Sequence, residues 1–428
     1  MSLPGYPHRV DSGDSLIGSV PAHWNRSALK RLATYQNGFA FKPEDWSDEG
    51  RPIIRIAQLT SSVEPNYFAG ELDERLRVST GDLLFSWSAT IDSFIWRAGE
   101  AWLNQHIFKV SPTEEATKSY LFHLIKFLAP KLADLDAHGS TMRHIKKESL
   151  GQLVYVPPLD EQAAIAAFLD RETAKIDALI AEQEKLIALL AEKRQATISH
   201  AVTKGLDPNA PMKDSGVAWL GKVPAHWDVV PLKYLVELRS GGTPSKDNLD
   251  YWDGDVPWAS AKDLKVERLG STTDCITQKA VDDGAASLVR SAAVLVVVRG
   301  MILARTFPVV ETLVPMAINQ DLKAVLPLHR LNASYLAWLL RGSAEESLQR
   351  LDEAGHGTKA LRMDAWTSMQ LPIPPHGEQI EIAEFLSRET VRLDALCAEA
   401  ERAIDLLKER RSALIAAAVT GQIDVRQA

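Results

Sequence analysis

Two stretches of the chain, Glu161 to Ala201 and Glu378 to Val419, contain neither Pro nor Gly and are rich in Ala, Leu, Glu, Lys and Gln. That composition predicts two helices of about 40 residues, each about 60 Å long at 1.5 Å per residue. Apolar or small residues recur at heptad-like spacing at Ile176, Leu179, Leu186 and Leu190, and again at Leu393, Leu396, Ala403 and Leu407. Such a seam cannot be buried by one helix alone. The matching lengths predict that the helices bury their seams on each other, antiparallel. Intervening charges such as Arg171, Glu172, Glu184 and Lys193 read as a solvated face. Each helix follows a Pro-Pro pair, in Val156-Pro157-Pro158-Leu159 and Ile373-Pro374-Pro375-His376, which reads as a strand-to-helix breaker.

The helical pattern is half of a larger duplication. Residues 157–207 return at 374–424, an offset of 217 with 28 of 51 identical. Residues 11–24, ending in Val20-Pro21-Ala22-His23-Trp24, return at 214–227 with nine of fourteen identical, at an offset of 203. The unequal offsets place a variable, longer insert inside a constant frame in the second copy. Within the inserts only scattered positions match: Gly38 with Gly241, Asn104-Gln105 with Asn319-Gln320, and Ser119-Tyr120-Leu121 with Ser334-Tyr335-Leu336. A constant frame around divergent inserts points to two recognition surfaces of different specificity. By the same offsets, the C-terminal tail followed by the N-terminal arm would reproduce the linker 204–227. Residues 11–24 are therefore expected to pack near the end of the second helix, as 214–227 should pack near the end of the first.

Length and composition change this picture little. The 428 residues allow two or three domains with full cores, and 46% apolar content is ordinary for a soluble protein. There is no apolar run of membrane-span length and no signal-peptide pattern, so a cytoplasmic protein without a membrane partner is expected. The net charge is −8, but it lies mostly on the helices: segment 25–156 is neutral and 228–373 carries −2. A local basic surface on either insert is thus permitted. Cys275 and Cys397 occupy unmatched places in the two copies, so no disulfide or thiolate metal site is indicated.

Catalytic signatures do not emerge from the sequence. It holds no phosphate-binding Gly-x4-Gly-Lys-[Ser/Thr] loop, no Gly-x-Ser-x-Gly elbow and no His-Glu-x-x-His. The Pro-Pro pairs lack the leading polar residue and trailing aromatic that an adenine methyltransferase would use on a flipped base. His23 and His226, in Pro-Ala-His-Trp, read as structural, as do Trp24 and Trp227.

Several motifs, in order and duplicated, resemble specificity subunits of type I restriction-modification systems. Gly241-Gly242-Thr243-Pro244 followed by Tyr251-Trp252-Asp253-Gly254-Asp255-Val256-Pro257-Trp258 is similar to one common opening of that family's target recognition domain. Asn37-Gly38-Phe39-Ala40-Phe41-Lys42 with Gly50-Arg51-Pro52-Ile53-Ile54-Arg55 is similar to the other. Gly81-Asp82-Leu83-Leu84-Phe85-Ser86 resembles the mid-domain strand, from which Ala292-Ala293-Val294-Leu295 departs. Pro157-Pro158-Leu159-Asp160-Glu161-Gln162 and Pro374-Pro375-His376-Gly377-Glu378-Gln379 resemble the start of the family's helices.

The resemblance implies an α+β protein: two pseudo-twofold-related α/β target recognition domains separated by a pair of long antiparallel coiled-coil helices. It implies a non-catalytic subunit that binds double-stranded DNA, each domain reading half of a bipartite target. The helices would set the spacing and dock two modification subunits, with restriction subunits joining. No cofactor is expected in this chain, while the partner subunits are expected to use S-adenosylmethionine, ATP and Mg. The expected borders are an N-terminal arm (1–24), a first recognition domain (25–156), a central helix (157–204), a linker repeating the arm (205–227), a second recognition domain (228–373), and a distal helix with tail (374–428). The alternative is a non-enzymatic coiled-coil scaffold with two protein- or ligand-binding heads.

Base edges and phosphates favour Arg, Lys, Asn, Gln and hydroxyls. The candidate DNA contacts in the first domain are Lys42, Ser140, Thr141, Arg143, His144 and Lys146. In the second they are Thr243, Lys246, Thr358, Lys359 and Arg362. Asn104-Gln105 and Asn319-Gln320, common to domains expected to read different bases, read more as a structural amide pair. Trp87 and Trp258 read as core, with Trp258 close enough to the opening loop to line a groove.

Overall fold

A computed structural model describes residues 4–137, 143–353 and 358–427. The chain divides into two compact units, Met1–Glu184 with Glu401–Ala428, and Lys185–Ala400.

In the first unit, strands Ala33–Asn37, Ile107–Pro112, Leu83–Ser86 and Asp92–Ile95 form an antiparallel sheet in that order. Leu83, Leu84 and Phe85 are fully buried, because this strand lies inside the sheet and is covered on both faces. Helix Lys118–Asp136 packs on the sheet through Tyr120, Leu121, Leu124, Ile125 and Leu128. Thr117 caps its N-terminus by accepting from the Tyr120 N–H at 3.3 Å. A smaller mixed sheet carries strands Arg51–Ile54 and Ala101–Leu103 in parallel, the arrangement a crossover connection requires. Strands Asn25–Ala28 and Leu153–Val156 pair antiparallel, closing the insert where it leaves the constant frame.

The second unit repeats this plan with additions. Its main sheet has five strands: Val236–Ser240, Leu322–Pro327, Val294–Val297, Val309–Thr312 and Arg268–Leu269. Trp252–Ala259 and Met316–Ile318 run parallel in its smaller sheet, and Asp228–Pro231 pairs with Gln370–Ile373 as the closing ribbon. Helix Ala333–Gly342 takes the place of Lys118–Asp136, capped by Asn332, whose side chain accepts from the Tyr335 N–H at 3.0 Å. Arg299–Gly300, Lys359–Leu361 and Leu351–Glu353 form a three-stranded ribbon, which among the described residues has only the Ser88–His144 bridge as its counterpart in the first unit.

The long helices run Leu159–Lys204 and His376–Val419. Within the first unit Asp177 accepts from Arg411 at 2.5 Å, and within the second Arg194 donates to Asp394 at 3.0 Å. These are one interaction made twice, since each partner of one pair lies 217 residues from its counterpart in the other. With the shared core of Ile165, Leu169, Ile415 and Val419 in one unit and Ile198, Val202, Ile382 and Leu386 in the other, they establish antiparallel packing inside each unit.

The seam itself departs from the sequence expectation. Leu179, Leu186 and Leu396 are exposed, whereas Ile176, Ile180, Leu190, Leu393, Ala400 and Ile404 are buried. The heptad phase is one residue off at those three leucines. Half-buried Gln183, Ile187, Arg194, Cys397, Leu407 and Arg411 fill the remaining seam positions, so polar residues stand where a hydrophobic count looks for leucine.

The constant frame is pinned by two adjacent side chains at each helix start. Gln162, fully buried, accepts from the Thr117 N–H at 2.8 Å and donates to the carbonyls of Glu115 at 2.8 Å and Pro157 at 3.0 Å. Gln379 makes the same three bonds, with the Asn332 N–H and the carbonyls of Arg330 and Pro374. Beside it, Glu161 accepts from Tyr6, from the Trp24 indole at 3.0 Å and from His23 at 2.8 Å. Burial and that carboxylate push the Tyr6 phenol far above its ordinary pKa. Glu378 likewise holds Trp227 at 3.0 Å and His226 at 2.8 Å. Residues 11–24 lie against the end of the second long helix, where a Cβ on Gly421 would meet Pro21 and Trp24. Residues 214–227 lie likewise against the end of the first, where Lys204 donates to the Leu220 carbonyl at 2.7 Å.

Candidate nucleic-acid interface

In each unit, four segments converge at one end of the main sheet. In the first they are Asn37–Phe39, Trp87–Ser88, Asn104–His106 and His144–Ile145. Phe39 N–H donates to the Leu103 carbonyl at 2.8 Å, and Gln105 N–H to that of Phe39 at 2.9 Å. Trp87 N–H donates to His106 at 3.3 Å, and Ile145 N–H to Trp87 at 2.9 Å. The second unit repeats three of these four bonds: Gly242 N–H to Ile318 at 2.9 Å, Val298 N–H to Asp321 at 2.8 Å, and Leu361 N–H to Val298 at 2.8 Å. Matching bridges join Ser88 to His144 and Arg299 to Ala360.

Gly38 and Gly241 are required here by close approach rather than by a turn. A Cβ at Gly38 would lie 2.2 Å from the Asn104 carbonyl oxygen, and one at Gly241 would lie 2.0 Å from that of Ile318. Only a residue without a Cβ brings the opening loop against this strand.

The amide pairs divide in role. Asn104 and Asn319 are buried, and each side chain accepts the backbone N–H two residues on, at 3.3 Å from His106 and 3.1 Å from Asp321. Gln105 and Gln320 instead reach the convergent face, where Gln105 contacts the His106 ring at 3.3 Å and Gln320 accepts from Thr243. Trp258 is core and donates to the Gly242 carbonyl at 3.0 Å, holding the opening loop from beneath. Trp87 is half-buried, with its indole 3.3 Å from Asn37 Oδ1.

Of the residues singled out in the sequence, Thr243, His144, Thr358 and Lys359 fall at or beside this convergence. Arg143, Lys146 and Arg362 flank it, while Lys42 and Lys246 are exposed on the opening loops. Ser140 and Thr141 lie outside the described residues. Exposed carboxylates hold several of these cations: Lys42 lies 3.6 Å from Glu44, Lys359 2.8 Å from Glu353, Arg362 3.5 Å from Asp352, and Arg143 pairs with Asp134. Exposed pairs of this kind contribute about 0–1 kcal/mol, so a phosphate can displace the carboxylate at little cost. Gln105 and Gln320, read in the sequence as part of a structural amide pair, and Trp87, read as core, also border this face. So do Ser88-Ala89 and Val298-Arg299-Gly300, which carried no sequence signal.

Among the described residues no cluster of His, Cys, Asp or Glu is arranged to hold a metal ion, and no helix is long and apolar enough to cross a membrane.

The model of the type I restriction modification DNA specificity domain matches the chain twice, over residues 21–188 and 224–400. The chain belongs to this family. The two matches bracket the two convergent faces, so a type I specificity domain carries each. The chain is 31% identical over 191 residues to the type I restriction enzyme EcoBI specificity subunit of Escherichia coli, covering 43% of this chain and 40% of that one. It is 29% identical over 171 residues to the EcoR124I/EcoR124II specificity subunit of Escherichia coli, covering 40% and 42%. The matched stretches thus span about two fifths of these relatives' length. In fold it is similar to a chain from a study of complex assembly and conformational transition of the type I R-M system, with TM-score 0.65, 17% identity, and 94% and 98% of the two chains covered. It is also similar to the HsdS subunit from Thermoanaerobacter tengcongensis, with TM-score 0.52, 16% identity and the same coverage. A scaffold with unrelated heads is not favoured by a specificity-domain match over both copies.

Proposed function

We propose that the chain is the DNA-recognition subunit of a type I restriction-modification complex, and that each recognition domain reads one half of a bipartite double-stranded target. The observation that carries this reading is the convergent face built twice, with three shared backbone hydrogen bonds and, outside the Asn-Gln pair, largely different side chains. Identical scaffolding fixes where a reader stands, and divergent side chains decide what it reads. We take the recognition domains as 25–156 and 228–373, a reading supported by the closing ribbons Asn25–Ala28 with Leu153–Val156 and Asp228–Pro231 with Gln370–Ile373. The contacts proposed toward DNA are Lys42, Ser140, Thr141, Arg143, His144 and Lys146 in the first domain, and Thr243, Lys246, Thr358, Lys359 and Arg362 in the second.

In this reading the long helices act as a spacer between half-sites, as fixed separations constrain dimeric DNA readers. Linking two readers makes the second contact intramolecular, so two modest affinities combine. Leu179 and Leu189 on the first helix, and their repeats Leu396 and Leu406 on the second, are exposed. Apolar surface left open at equivalent places suits two equivalent partners, the modification subunits. Those subunits would supply methyl transfer from S-adenosylmethionine, and restriction subunits the ATP- and Mg-dependent cleavage, in the cytoplasm, with no chemistry assigned to this chain.

Exchange of residues 25–156 for the first domain of another family member tests the reading. In complex with modification subunits, the hybrid should methylate a motif changed in one half only. A change in both halves, or in neither, contradicts it.

A further inference from the structure

The two convergent faces share three backbone bonds and a bridge, so their side chains occupy corresponding positions. Gln105 and Gln320 are the same residue in both. The position after the half-buried Trp87 and Val298 is different: Ser88, short and buried, in the first unit, and Arg299, exposed, in the second. A residue shared by two domains with unlike targets suits what the targets have in common, such as the sugar-phosphate backbone. A residue that differs on an identical scaffold suits what distinguishes them.

Arg299 has the further properties of a base reader. Its backbone is fixed on both sides: Val298 bonds to Asp321 and to Leu361 at 2.8 Å each, and Arg299 itself pairs with Ala360, as Ser88 pairs with His144 in the first unit. Its guanidinium has no hydrogen-bond or ion-pair partner among the described residues. The neighbouring cations are held, Lys359 by Glu353, Arg362 by Asp352 and Lys323 by Ser240. A free five-donor fork on a rigid mount retains its full bidentate capacity for a partner that the chain itself does not supply.

We propose that Arg299 is a specificity-determining residue of the second recognition domain, donating two hydrogen bonds to the O6 and N7 acceptors of a guanine in the major groove. Guanine is the base whose edge offers two adjacent acceptors to that fork. The inference rests on the DNA-reading function proposed above. Its point of difference from a phosphate contact is that it changes which sequence is bound, not only how tightly.

The test compares wild type, Arg299→Ala and Arg299→Gln, each assembled with the modification subunits and expressed in a host whose methylated sites are then sequenced. The wild-type motif should carry a guanine in the second half that relaxes in Arg299→Ala, with discrimination at that position falling about 5- to 150-fold. Arg299→Gln, which pairs with adenine, should move the same position toward adenine. The first half and the spacer should not change. An unaltered motif with uniformly weaker binding would make Arg299 a phosphate contact and overturn the proposal, as would an unaltered motif with unaltered binding. A wild-type complex that yields no bipartite motif would refute the DNA-reading function itself, which separates the two failures.

Discussion

Glu161 accepts the indole N–H of Trp24 at 3.0 Å, and 217 residues on Glu378 accepts that of Trp227 at the same distance. The His-Trp end of each repeated arm is thereby fastened to the first turn of a long helix, next to the Gln that fastens the recognition domain. A single Glu-Gln dipeptide thus joins three parts of the frame. Glu161→Ala leaves a buried indole and phenol without their acceptor, at a cost of about 1–3 kcal/mol. Limited proteolysis should then cleave within residues 4–24 ahead of the rest of the chain, and Glu378→Ala should expose 205–227 in the same way. Equal protection of wild type and variant would show that the carboxylate does not hold the arm.

Gly38→Ala and Gly241→Ala place a methyl group within about 2 Å of a carbonyl oxygen, so the opening loop must move off its strand. Each should lower stability by about 1–3 kcal/mol or more and weaken recognition of its own half-site. Gly242→Ala is the control, because its nearest neighbour would be 3.5 Å away. Thermal melts and DNA binding of the three variants, in complex, check this ordering.

The first unit should lose stability on mild acidification through His123. Burial holds this imidazole below its ordinary pKa, against the opposing pull of Asp170 at 2.8 Å. Its buried Nδ1 has no partner among the described residues, so protonation there creates a donor with no acceptor among them. A depressed His pKa means that the unfolded state binds the extra proton. The stabilisation is therefore complete above about pH 6.5 and is lost as pH falls through the folded value. His123→Gln should flatten the dependence of unfolding on pH between about 5 and 7. An unchanged slope in urea titrations would assign that dependence elsewhere.

The Arg194–Asp394 and Asp177–Arg411 pairs test register rather than energy. Their carboxylates are more than half exposed, so each pair contributes only about 0.2–1 kcal/mol. Reversing one partner should destabilise slightly and exchanging both should restore it. Inserting a whole heptad into both helices, after Ala188 and after Asp405, keeps the seam in phase and adds about 10 Å, close to three base-pair steps. The unread spacer of the methylated motif should lengthen while both halves stay the same.

Periodicity and duplication made the frame readable in the sequence. The Pro-Pro starts, the Pro- and Gly-free helices and the His-Trp repeats all depend on local chemistry or on identity between copies. The seam was only half legible: Gln183, Arg194 and Arg411 occupy it, and a search for leucine passes over them. Asn104-Gln105 was visible as a pair, yet its division into a buried turn-former and a surface amide depends on the crossing of two strands. Arg299 carried no signal. Its proposed role comes from holding in the second unit the place that Ser88 holds in the first, an equivalence set by backbone bonds and not by sequence identity.

The central claim is that two like frames with unlike faces read two unlike half-sites at a set separation. Sequencing the methylated sites in cells that express the chain with its modification subunits tests it most directly. One bipartite motif is expected, whose halves differ and whose intervening bases vary freely at constant number. A single uninterrupted motif, or two half-sites at varying distance, would contradict it.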